Sequence, residues 1–211
     1  HEGTLTSIIM RPSITLGISN YWNLTIIQDI GIRTMRWEGD TITIHHRDEG
    51  SHTDYSNATG GILGDSRIMA RYLIVNDGRG PGKRWFIGTG LILPSRNTLT
   101  SDPFFLNILN NEKKDPHRHF SISEGVYKGV FEMQLFIKRM TTPVFIGGTL
   151  SAVLPLKENE YGFKASESYD LSVVAFSKLI PAIKGSAGAN LVMVHTTESY
   201  WNGKEAPNSR A

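Results

Sequence analysis

Two stretches of the chain gather side chains able to hold a metal ion. Thr43 to Asp54 carries His45, His46 and His52 among Asp48, Glu49 and Asp54, and Asp115-Pro116-His117-Arg118-His119 adds two further imidazoles. Imidazole nitrogens beside carboxylates suit Zn or Cu. Their spacing matches no specific metal motif, so exposed polar loops are the plainer reading; the five histidines remain weak metal candidates, and no cofactor is expected. A serine nucleophile would have to come from Asp54-Tyr55-Ser56-Asn57. Such a hydroxyl needs an adjacent base, and His52, four residues before Ser56, is too far along an extended strand to reach it. No enzyme is expected.

A third set of charges is spread through the chain: Arg11, Asp29, Arg33, Asp65, Arg67, Arg71, Lys128, Glu132, Lys138 and Asp170. They fall on the minor face of runs whose major face is aliphatic. Charges placed that way bind or select a solute when they line a pore, or form structural ion pairs that plug a narrow barrel.

The elements that would position them are strands. Period-two alternation dominates the chain, and helical spacing is weak nearly everywhere. From 6 to 18, Ile8, Met10, Pro12, Ile14, Leu16 and Ile18 oppose Ile9, Arg11, Ser13, Thr15 and Gly17. From 24 to 37, Leu24, Ile26, Ile30 and Ile32 oppose Thr25, Asp29, Gly31 and Arg33, with Ile27 and Gln28 as exceptions. Ile68, Ala70, Tyr72 and Ile74 oppose Asp65, Arg67 and Arg71. The apolar, glycine-rich run 85 to 94 has no assignable facing. From 122 to 138, Tyr127, Gly129, Phe131, Met133, Leu135 and Ile137 oppose Glu124, Lys128, Glu132, Gln134 and Lys138, with Val126, Val130 and Phe136 on the polar side. Runs 144 to 154, 169 to 175 and, more weakly, 187 to 196 complete eight strands.

Composition sets limits on this picture. A chain of 211 residues fits one β domain. Hydrophobic residues are 39% and charged residues 20%, with no apolar run near the ~20 residues of a spanning helix. Cysteine is absent, which removes disulfides, thiolate metal sites and a cysteine nucleophile. A net charge of +2 with scattered Lys and Arg gives no nucleic-acid stripe.

Alternation alone leaves two barrels open: a lipocalin-like soluble barrel turns the apolar face inward, and a membrane barrel turns it outward. Three features favour the membrane. Connections alternate short (19 to 23, 76 to 84, 139 to 143, 177 to 185) and long (38 to 62, 95 to 120, 157 to 167), as periplasmic turns and external loops do. Runs of 11 to 14 residues exceed the five or six of soluble strands. Tyr21, Trp22, Trp37, Trp85 and Tyr127 stand near strand ends, where aromatic rings meet membrane interfaces.

Gly61-Ile62-Leu63-Gly64-Asp65-Ser66, then Ala70-Arg71-Tyr72-Leu73, then Gly88-Thr89-Gly90-Leu91-Ile92-Leu93-Pro94-Ser95 resembles a glycine-driven pattern of the phenol-degradation meta-pathway outer-membrane proteins. Leu16-Gly17-Ile18-Ser19-Asn20-Tyr21-Trp22-Asn23-Leu24 resembles a turn of the same family. Ile62 and Leu63 offset the first glycine, and Arg96 stands where that family has glycine. The resemblance implies a transporter-like outer-membrane barrel for small, apolar or aromatic solutes. Asp54 to Asn57 is also similar, in its last two residues, to the His-x-Ser-Asn element of outer-membrane lipid A deacylases and phospholipases, but Asp54 replaces the histidine.

The expectation is therefore an all-β chain: an antiparallel up-and-down transmembrane β-barrel in the Gram-negative outer membrane, one domain over 1–211, with eight strands visible. Because the first connection is short, strand 6 to 18 runs inward, and the polar tail after strand eight is loop-like. The chain is thus expected to be a piece, incomplete at both ends, of a barrel of about 10 to 12 strands. Its surroundings would be outer-membrane lipid and lipopolysaccharide, with a protein partner or a homo-oligomer and no nucleic acid. Its role would be a channel or transporter-like barrel; the alternatives are a structural outer-membrane protein that docks a partner, and a soluble ligand-binding barrel.

Overall fold

The computed structural model describes residues 2–38, 61–104, 106 and 121–210, the side chains of 2, 3, 5 and 34–38 excepted. Among them the chain is all-β, with one short 3-10 turn at Pro181–Ile183. The large antiparallel sheet contains β1 (Glu2–Met10), β2 (Ser13–Gly17), β3 (Trp22–Glu38), β4 (Leu63–Asn76), β5 (Gly82–Leu93), β6 (Lys128–Lys138), β7 (Phe145–Pro155), β9 (Ser168–Phe176) and β10 (Gly188–Thr196). Its order is β1-β3-β4-β5-β6-β7-β9-β10, with β2 also on β3. β1 and β2 are one line of chain, interrupted at Arg11 and Pro12. Proline has no N–H for the ladder, but its carbonyl accepts from Gln28 N at 3.1 Å, so the line continues along β3. Eight lines of chain thus form a meander, each paired with its sequence neighbour.

The sheet is open. Among the described residues its edges, β1–β2 and β10, pair with β3 and β9 only. The connections at one end of the sheet are short, and those at the other are long. At the long end β8 (Phe163–Lys164), β11 (Tyr200–Trp201) and β12 (Lys204–Glu205) form a second, small sheet. Within the tail expected to be loop-like, 200–205 is therefore a hairpin, while 207–210 carries no strand. Asn202 and Gly203 turn it with φ of 48° and 78°, the conformation Asn-Gly supplies in a two-residue hairpin. Trp201 is buried, with its ring 5.0 Å from that of Phe163.

Register assigns the facing of every strand. Ile14, Ile26, Ile68 and Leu91 share one face with Phe131, Leu135, Leu150 and Leu171. Thr25, Met69, Gly90, Val130, Val153 and Ser168 run in a row across the other. The aliphatic face is the exposed one: Phe131 is 55% exposed and Leu135 44%, against 0% for Val130 and 1% for Met69. No second sheet or helix packs over the buried face among the described residues. Part of its cover is the segment before β6: Arg33, on that face of β3, donates to Ser121 O at 2.8 Å, and Ser123 and Val126 are buried.

The irregular positions have local causes. β4 carries an extra residue opposite Gln28 and Ile30 of β3, and Gln28 lies on the apolar face by the same alternation as Ile26 and Ile30. There Gln28 Nε2 donates to Gly64 O at 2.9 Å and Asp29 O at 2.8 Å, while Ser66 Oγ donates to its Oε1. The exceptional polar residue of the second run is thereby satisfied in place. Run 85 to 94 also gains a facing: Phe86, Gly88, Gly90 and Ile92 lie on the buried face.

Candidate functional site

The buried face carries the charges. Arg71, Gly88, Glu132, Ser151 and Asp170 are consecutive partners in one row across β4, β5, β6, β7 and β9. Arg71 Nε donates to Glu132 Oε1 at 2.5 Å, Nη2 to Oε2 at 3.3 Å, and Nη1 to Thr25 Oγ1 at 2.8 Å. The two side chains are 17% and 11% exposed. The fork reaches across β5 because Gly88 lies between them; a Cβ there would stand 3.1 Å from Arg71 Cγ. Gln134 Nε2 also donates to Glu132, at 2.9 Å.

Beside this row, Arg11 forms a bidentate pair with Asp29, at 2.6 and 3.1 Å. Arg33 donates to Ser7 Oγ at 3.3 Å and to Ser121 O at 2.8 Å. Asp65 accepts from Ser95 N at 3.2 Å. Lys128 pairs with Glu124. Asp170 accepts from Ser151 Oγ at 3.1 Å and Ser168 Oγ at 3.4 Å, both hydroxyls. Lys138 is exposed at the short-turn end of β6. All ten charges named from the sequence were expected to line one surface, and the register brings Arg71, Glu132 and Asp170 into a single row.

Arg67 stands apart. It lies on the same face of β4, part-buried, with Ile27 and Ile92 as its cross-strand partners. It has no hydrogen bond or ion pair to any described residue.

Aromatic side chains occupy the short-turn end of this face. Phe86, Phe136, Phe145 and Phe176 follow one another with ring centres 6.4, 5.6 and 6.0 Å apart. Phe136 lies over Gly147, where a Cβ would stand 2.5 Å from its ring, and Phe176 lies over Gly188, where the distance would be 2.2 Å. Of the apolar residues expected on the polar side of run 122 to 138, Phe136 belongs to this row. Val130 belongs to a buried cluster with Met69, Ile92 and Val153. Neither group was separable from the alternation. The glycines one strand away from each phenylalanine were the available signal.

The opposite face holds a shallow groove of about 640 Å³ lined by Trp22, Tyr72, Ile87, Phe131, Leu150 and Tyr169, almost wholly apolar. The candidate metal ligands His45, His46, His52, His117 and His119 lie outside the described residues, as do Asp54 and Ser56. Among the described residues no cluster of His, Asp and Glu is arranged to hold a metal, and no helix is long and apolar enough to cross a membrane. No protein-family model and no curated protein matches the chain.

Proposed function

We propose that the sheet is the wall of an outer-membrane β-barrel, a channel or transporter-like barrel for small solutes whose polar lining is the face of Arg67, Arg71, Glu132 and Asp170. One observation carries the reading. The aliphatic face is exposed, with Phe131 at 55%, while the face that holds the ion pairs contains Val130 at 0%. A lipocalin-like barrel would reverse these values, because its apolar side chains fill the interior.

The aromatic side chains of the exposed face support the same reading. Trp22, Tyr72 and Trp85 stand toward the short-turn end, and Tyr127 and Tyr169 toward the long-loop end. Tyr127 to Leu135, the partner of Trp85, is about 27 Å of strand, or about 21 Å along an axis tilted by about 40°, comparable with the ~25 Å apolar band of such barrels. The open edges β1–β2 and β10 are where the wall would continue or close, since unpaired backbone is not tolerated in lipid. The solute would be set by contacts on the polar face. The aromatic class implied by the family resemblance is not needed for the proposal.

Folded in detergent micelles, the protein should migrate faster unboiled than boiled. Paramagnetic labels dissolved in the micelle should broaden signals of Ile14, Phe131 and Leu135 and spare Val130 and Glu132. Broadening of the second set alone would end the membrane reading.

A further inference from the structure

The chain reaches β6 along the polar face. Arg33 Nη1 donates to Ser121 O at 2.8 Å, which ties the start of the approach to β3. Ile122 then occupies the space left by Gly64 of β4: a Cβ there would stand 2.5 Å from Ile122 Cγ2 and 2.8 Å from Asp29 Cβ. Ile122 N donates to Asn97 Oδ1 at 3.2 Å and Ser123 N to Asn97 O at 3.0 Å, while Asn97 Nδ2 donates to Gly61 O. Asn97 is 0% exposed, Ser123 2% and Val126 1%. By Lys128 the chain is the partner of Ile92 on β5. Residues 121–127 thus cross from β3 and β4 past β5 to β6.

β1 and β3 continue beyond this level, Arg33 pairing with Ser7 and Glu38 with Glu2. The crossing therefore lies inside the wall and not above its rim. It is braced within itself: Ser121 Oγ donates to Ser123 O at 2.6 Å, and Gly125 N to Ser123 Oγ at 2.9 Å. Further along, Asn159 Nδ2, from the connection after β7, donates to Glu124 O at 3.2 Å. A segment held at both ends against the polar face takes up cross-section that a solute would otherwise use, and pore diameter is a primary determinant of what passes. We propose that residues 121–126 are a strap that narrows the passage near its long-loop end and sets the largest solute admitted. This assignment rests on the reading that the polar face lines a channel.

The test uses the full chain folded into phospholipid vesicles, with glycerol and sucrose as probes and amide exchange as a second readout. In the parent, glycerol should enter, sucrose should be largely excluded, and the amides of Ile122 and Ser123 should exchange slowly. Asn97→Ala removes the acceptor of Ile122 N and the donor to Gly61 O. Exchange at Ile122 and Ser123 and the entry of sucrose relative to glycerol should then rise together, about tenfold, as expected when one to two net hydrogen bonds cease to hold the strap. Arg33→Gln, which loses the contact with Ser121 O, should raise both about threefold, and it carries the test if Asn97→Ala does not fold. Slow exchange at Val130 and Val153 and faster migration of the unboiled protein check that the large sheet is intact. Faster exchange at Ile122 and Ser123 with an unchanged ratio of sucrose to glycerol entry would overturn the strap while leaving the channel standing. Free entry of sucrose in the parent, or rapid exchange of those two amides in it, would do the same. No entry of glycerol into vesicles holding the folded parent would instead remove the channel reading, and the strap with it.

Discussion

Arg71 reaches Glu132 across an intervening strand. β5 separates the two residues, and the guanidinium passes over Gly88 to make a bidentate contact at 2.5 and 3.3 Å. Three strands are tied together by one ion pair through the absence of a side chain.

Removing one partner should therefore be worse than removing both. Arg71→Ala leaves Glu132, with its side chain 11% exposed, facing no cation. A loss of about 3 kcal/mol is expected, with most of it recovered in Arg71→Met/Glu132→Leu. Urea unfolding of the detergent-folded single and double variants measures this, and a double variant weaker than both singles would contradict it.

The two faces should respond oppositely to a new charge. Phe131→Arg places a cation midway along the exposed aliphatic face, and on the proposed membrane reading lipid contact there would make it unfavourable by about 2–4 kcal/mol. On a water-facing surface the same change stays within about 0.5 kcal/mol. Thr149→Arg, on the polar face of β7, should fold into phospholipid vesicles about as well as the parent. Vesicle-folding yield against urea separates the cases.

Close backbone approach predicts which glycines are fixed. A Cβ on Gly90 would stand 2.2 Å from Ile68 O and 2.4 Å from Met69 Sδ, and the carbonyl cannot move aside. Gly90→Ala should lower stability by about 1–3 kcal/mol. At Gly148 the nearest atom is Ser172 O at 3.4 Å, so Gly148→Ala should change stability by less than about 0.5 kcal/mol. Parallel thermal melts compare them.

Trp201 should anchor the small sheet without holding the large one. Trp201→Ala removes a side chain that is 3% exposed and packed on Phe163. Limited proteolysis should then cut within 197–210 at least tenfold faster, an effect smaller than the full ~3–5 kcal/mol of a large aromatic truncation would allow. The gel migration of the unboiled protein should be unchanged. Cleavage spreading into β3 to β7 would show that the two sheets unfold together.

Much of the large sheet was legible because its two-faced alternation is written twice, once in aliphatic residues and once in charges. Ile8 to Ile18 and Phe131 to Ile137 each identify an exposed face, and Arg71 and Glu132 identify the other. Closure was not legible: alternation describes a strand's two sides and says nothing of what its edge pairs with. The hairpin at Tyr200 to Glu205 was readable from Asn202-Gly203 and was overshadowed by the polarity of the surrounding tail. Contacts between strands, such as Thr25 to Arg71 or Ser151 to Asp170, depend on register. Register is set by the pairing of whole strands, beyond the reach of any single run.

Each line of chain in the meander adds to the line just before it. Such a sheet can grow by successive zipping, with no distant segment required to thread between finished strands. The entropy of bringing ends together falls mostly on the two longest connections, between β3 and β4 and between β5 and β6. Shortening either one should speed assembly more than any change within the tight turns.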